Sequence, residues 1–188
     1  MAAREIGSRR YTAAAFLIAF AVCAVDAASK ALAVADLTPH QSVRLLGGLI
    51  TLHLYRNPGA AFGIGPSYTV IYALIEAAVL AAILLLSRRL RSWPWTIALG
   101  LLLGGAAGNL ADRLFRSPGP LRGFVIDWIK LPYFPPTFNL ADSAITIGAA
   151  VIVLAGVRGW RLDGDSPRPD PAIQQATPGR DTPPPLNP

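Results

Sequence analysis

Thiol and metal chemistry have little to work with in this chain. One cysteine and two histidines occur among 188 residues. A single cysteine, Cys23, leaves no disulfide framework within the chain and reads as a small packing residue in an apolar run. His40 and His53 lack the paired spacing of metal ligands, and neither is placed to serve as the base of a serine triad. Charge is also scarce: 15% of residues are charged against 53% hydrophobic, and mean hydropathy is +0.43, which excludes an ordinary soluble domain. The net charge of +6 does not point to nucleic acid, because the basic residues form no single stripe with aromatic partners.

What the chain has instead is long apolar runs. A bilayer core about 30 Å thick is crossed by roughly 20 apolar helical residues, and four runs approach that length: 11–34, 68–86, 95–113 and 139–157. Basic residues before the first could mark a secretory signal, but Asp26 and Lys30 stand where a cleavage region would be small and neutral, so a retained helix is expected. Arg4, Arg9 and Arg10 precede the first run, Arg88, Arg89 and Arg91 fill the second connection, and Arg158 and Arg161 follow the fourth. The positive-inside rule makes these places, and both termini, cytoplasmic. The expected fold is an all-α membrane protein of four transmembrane helices over residues 1–162, in contact with membrane lipid. A Pro-rich tail over 163–188 is too poor in apolar residues to form a core and is expected to be a disordered cytoplasmic extension.

This orientation sends the polar residues of the helices to the outer side. Asp26 and Lys30 lie near the outer end of the first helix, Asn109, Asp112 and Arg113 at that of the third, and Asn139 and Asp142 at the outer start of the fourth. Charges inside membrane segments are costly and usually face a bundle interior. Asn109 with Asp112, and Asn139 with Asp142, are each three apart and share a helix face. Asn139 can also cap its helix, with Asp142 favoured by the dipole. In the outer connection over 37–65, "LITLHLYRN" alternates apolar and polar residues, so a small extracytoplasmic β element is expected there, followed by "NPGAAFG", where Asn57 adds an amide. The other outer connection carries Asp127 between apolar neighbours on a segment with Trp128, Tyr133 and Phe134, which suits the interface.

Two carboxylates in a poorly solvated site share a proton, so one serves as base while the other serves as acid. Such a pair can activate water for attack on a peptide carbonyl without a metal. Rival readings are a cation bound along a transport path, for which the inner halves of the helices lack polar residues apart from Glu76, and a scaffold in which polar pairs lock helices together. Asp26 and Lys30, at i,i+4 spacing, fit a structural ion pair as well as site support.

The motifs "NPGAAFG", "GGAAGNLADR", "VIDW" and "FNLADSAI", with "DAASK" at the end of the first helix, resemble those of lipoprotein signal peptidase, also called signal peptidase II, over about residues 11–160. The resemblance implies a bacterial aspartyl endopeptidase of the cytoplasmic membrane, free of cofactors and metal. Its implied partners are prolipoproteins cut before a diacylglyceryl-modified cysteine. It implies Asp127 and Asp142 as the catalytic pair. Asn57, Asn109, Asp112, Arg113 and Asn139 match positions that hold substrate or the aspartates, and Asp26 and Lys30 match a further pair. Phe62, Trp128 and Tyr133 could shield the reaction or anchor the interface. Glu76, near the middle of the second helix, is explained by no motif.

Overall fold

In the computed structural model, residues 2–38, 41–59 and 69–164 are described, with side chains from residue 9 onward. Four helices carry the chain: α1 (Ala2–Asp36), α2 (Thr69–Ser87), α3 (Trp93–Phe115) and α4 (Leu140–Val157). Each is long and apolar enough to cross a membrane. α1 begins well before the apolar run that announced it, because the polar N-terminal residues continue the helix. Phe62, residues 60–65 of the expected β element and the tail from residue 165 lie outside the described residues.

α3 is the central helix and packs against α1, α2 and α4. Small residues make this possible. A Cβ on Gly104 would stand 2.6 Å from the carbonyl oxygen of Ala19 in α1, and one on the adjacent Gly105 would stand 2.5 Å from that of Ala141 in α4. One glycine therefore serves each neighbour, and the "GGAAG" run brings both backbones close to α3. The outward faces of the other helices are apolar, with Phe16, Leu17 and Phe20 on α1, Ile71, Leu74 and Ile75 on α2, and Val153 and Leu154 on α4 all exposed. That inversion of the soluble pattern suits a lipid solvent. Away from the polar cluster, Ala15, Ala19, Ile83, Leu90, Leu99 and Leu103 form a dry core.

The strands form one antiparallel sheet in the order β1 (Val43–Leu45), β2 (Ile50–Asn57), β3 (Val125–Leu131), β4 (Phe134–Phe138). The all-α expectation therefore needs correction: helices and a four-stranded sheet make up the fold, and the segment around Asp127 is sheet. The predicted strand in "LITLHLYRN" had unpaired edges, and the 125–138 connection supplies its neighbour as a hairpin. Pairing of β2 with β3 changes register between Leu52 and Tyr55, since Leu52 faces Ile129 while Tyr55 faces Asp127. Three steps along β2 match two along β3, a β-bulge with one extra residue on β2. Beyond it, Asn57 lies on the same face as Val125 and Asp127.

Candidate active site

The sheet, the C-terminal ends of α1 and α3, and the start of α4 bring every predicted site residue into one connected group. α4 supplies the hinge of the arrangement. Asn139 caps it in an extended conformation, its Oδ1 accepting from the Asp142 backbone N–H at 2.9 Å, while Asp142 Oδ2 accepts from the Asn139 N–H at 3.2 Å. This is a reciprocal capping box with an Asp in the third position. Because Oδ1 of Asn139 is engaged by the helix, its Nδ2 points outward, donating to Asp127 Oδ1 at 2.7 Å and Asn109 Oδ1 at 3.2 Å. Asn139 is fully buried and touches both aspartates, one through its side chain and one through its main chain.

Each aspartate is held at both oxygens. Asp127 Oδ2 accepts from Asn57 Nδ2 at 2.9 Å, and Asp142 Oδ1 accepts from Asn109 Nδ2 at 2.8 Å. Asn57 is itself oriented by the Gly59 N–H, which donates to its Oδ1 at 2.9 Å. These amides fix two carboxylates that lie on different elements. Burial pushes the Asp127 carboxyl up to about 7, the Asp142 charge pushes in the same direction, and the Asn57 and Asn139 donors oppose them. Asp127 therefore exchanges its proton near neutrality.

Behind the aspartates lies a buried charge cluster. Lys30 Nζ stands 2.7 Å from Asp26 Oδ2 and 3.0 Å from Asp112 Oδ2, and donates to Asn109 Oδ1 at 3.0 Å. Lys30 thus forms two buried ion pairs and one hydrogen bond to an amide oxygen. Asp26 Oδ1 accepts from the Ala141 N–H at 2.9 Å in the first turn of α4, so the cluster also fastens α1 to that helix. Asp112 reaches the sheet through the Ile126 N–H at 3.1 Å, one residue before Asp127, and pairs with Arg116. The i,i+4 pair read from the sequence is both structural and directly bonded to site residues.

A cavity of about 680 Å³ opens beside the pair. Asn57, Asn109, Arg113, Asp127 and Asp142 give it a polar wall, and Ile75, Leu131, Phe134, Phe138 and Ile145 give it an apolar one. Trp128 and Tyr133 do not line it, and Tyr133 is fully exposed. Among the described residues, no group of three His, Cys, Asp or Glu side chains is arranged to hold a metal ion. Glu76, left unexplained by the sequence, meets Arg113, whose Nε donates to Oε1 and Oε2 at 3.0 and 3.1 Å. An Arg in the last turn of one helix and a lone acid in another were the available signal.

Residues 18–158 match the family described as Signal peptidase (SPase) II. The chain belongs to the signal peptidase II family. Its curated relatives include the lipoprotein signal peptidase of Streptomyces coelicolor, 47% identical over 161 residues that cover 86% of this chain and 78% of the relative. That of Leifsonia xyli is 43% identical over 166 residues, covering 88% and 77%. Two solved bacterial membrane enzyme structures obtained by the in meso method align with TM-scores of 0.69 and 0.67 at 28% and 29% identity. They cover 77% of this chain, and 87% and 92% of their own. Signal peptidase II membership makes the chain a peptidase, and four of the motifs that suggested it, all but "NPGAAFG", occupy the capping box, the β3 strand and the buried cluster just described.

Proposed function

We propose that the protein is an aspartyl endopeptidase of the bacterial cytoplasmic membrane that removes the signal peptide from prolipoproteins, cleaving before a diacylglyceryl-modified cysteine. Asp127 and Asp142 activate the water. The observation that carries this reading is Asn139, which bonds both carboxylates at once and so aims them at a common space on the cavity wall. The basic residues at the opposite ends of the helices support an extracytoplasmic position for the site. Asn57, Asn109 and Asn139 hold the pair, Asp112, Asp26 and Lys30 hold the asparagines and the strand, and the apolar wall faces the lipid chains of the substrate.

The chemistry follows from the different settings of the two acids. Asp142 stands in the first turn of α4, where the helix dipole favours negative charge, and acts as the base. Asp127 holds its proton near neutrality and acts as the acid. Water attacks the scissile carbonyl carbon, its proton passes to Asp142, and Asp127 delivers its own proton to the carbonyl oxygen. The resulting gem-diol collapses as the C–N bond breaks. Asp142 then protonates the leaving nitrogen and Asp127 recovers a proton from the gem-diol hydroxyl, restoring the starting state.

The test is cleavage by the purified protein, in detergent or lipid, of a diacylglyceryl-modified prolipoprotein beside an unmodified control. Only the modified substrate is cut, and folded Asp127→Asn and Asp142→Asn variants each lose at least roughly a hundredfold in rate, as expected when a general acid or base is removed. Cleavage at undiminished rate in both variants overturns the assignment.

A further inference from the structure

Glu76 is the only charged residue of α2, and it lies in the middle of a helix long and apolar enough to span a membrane. An acid there survives when a cation meets it, and Arg113 of α3 does so through Nε, which donates to both carboxylate oxygens. The rest of the guanidinium is divided unevenly. Nη2 donates to the Gly59 carbonyl at 3.0 Å, while Nη1 is buried and has no acceptor among the described residues. A buried donor without a partner is costly and uncommon in native proteins. Arg113 is 4% exposed and its side chain lines the cavity beside Asp127 and Asp142. The missing acceptor therefore belongs to whatever fills that cavity.

The charge balance limits what that acceptor is. Glu76 already neutralises the guanidinium, and the two aspartates stand on the same cavity wall, so an anionic group gains nothing there. A neutral oxygen does. We propose that Glu76 is a positioning residue for substrate: it clamps the Nε edge of Arg113 so that Nη1 is presented to a backbone carbonyl of the bound prolipoprotein. This rests on the peptidase reading above. Without the clamp the long side chain is free to sample other rotamers, and its donor must be ordered anew when substrate binds. With it, that ordering is complete before binding. The Nη1 bond is made in the Michaelis complex and in the transition state alike, so it acts on KM rather than on kcat.

Steady-state cleavage of a diacylglyceryl-modified prolipoprotein tests this with Glu76→Gln, Arg113→Lys and the double variant, alongside Asp127→Asn. Glu76→Gln is expected to raise KM roughly tenfold, the range of one charge-assisted hydrogen bond, with kcat within about twofold of the parent. Because Glu76 acts through Arg113, the double variant has the KM of Arg113→Lys alone. Glu76→Asp, which keeps the charge but withdraws it, gives an intermediate KM, and it replaces Glu76→Gln in the cycle if the latter does not fold. An unchanged KM in the Glu76 variant, or a double variant equal to the product of the singles, overturns the proposal. Retained cleavage in Asp127→Asn would instead strike the peptidase mechanism, so the two failures are distinguishable.

Discussion

The protonation of Asp127 gives the mechanism a measurable pH signature. Its carboxyl sits at about 7 in the free protein, and the acid role requires the proton. The profile of kcat/KM, which reports groups of the free enzyme, should therefore fall on the alkaline side with a midpoint near 7, to about a tenth of its maximum at pH 8 and about a hundredth at pH 9. Asn57 supplies the diagnostic perturbation. Its Nδ2 donor stabilises the ionised form, so Asn57→Leu, which removes the donor and adds apolar surface, raises the Asp127 midpoint further. A hydrogen bond worth about 1 kcal/mol, at 1.36 kcal/mol per tenfold change, moves the alkaline limb up by roughly 0.7 pH unit. The assay is cleavage of a fluorogenic diacylglyceryl lipopeptide between pH 5.5 and 9.5 at substrate well below KM. The height of the profile drops in the variant because Asn57 also holds the site; the midpoint is what is read. A limb that stays in place or moves to lower pH refutes the assignment of Asp127 as the acid.

The same group bears on stability. A carboxyl raised from 3.8 to about 7 keeps its proton in the native state over a range where the unfolded chain has lost it, so stability falls as pH rises through that interval and levels above it. Asp127→Asn, which removes the ionisable group, should raise the thermal unfolding temperature in detergent at pH 8 while leaving it little changed at pH 4; equal shifts at both pH values would contradict this. Lys30→Met leaves Asp26 and Asp112 buried without their shared cation and should destabilise the fold by roughly 3–5 kcal/mol, seen as a lower unfolding temperature, with partial recovery when Asp26→Asn is added. Gly108→Ala places a Cβ 2.6 Å from Asp26 Oδ2 and should lower both unfolding temperature and activity, whereas alanine at Gly156, which meets nothing within 4 Å, should be tolerated in both assays.

Much of this was legible in the sequence because membranes impose simple rules. Helix length, apolarity and basic flanks locate the four helices, and polar residues inside such helices stand out against their neighbours. Spacing of three paired Asn139 with Asp142 and predicted the cap that the structure contains. The sheet was less legible for physical reasons. β3 reads "VIDWIKL", whose Val125 and Ile126 are both buried, so it lacks the alternation of a half-buried strand. β4 reads "FPPTF", and its two prolines argue against a strand unless it lies at an edge, which the strand order shows it does. The partner of Glu76 was hidden because it lies 37 positions away on another helix, and no local pattern encodes a contact across that interval.

The extra residue in β2 has a consequence for how this segment can change length. Side chains on a strand take alternate sides, so orientation beyond the bulge depends on whether the number of intervening residues is odd or even. Deleting a single position between Leu52 and Tyr55 removes the bulge, sets two steps on β2 against two on β3, and keeps Asn57 on the face of Asp127. Deleting two turns Asn57 away while leaving every hydrogen-bonding residue present in the chain. Indels in this strand are therefore tolerated by parity before they are tolerated by size, and an alignment that slides a gap by one column here misplaces the amide that steadies the acid.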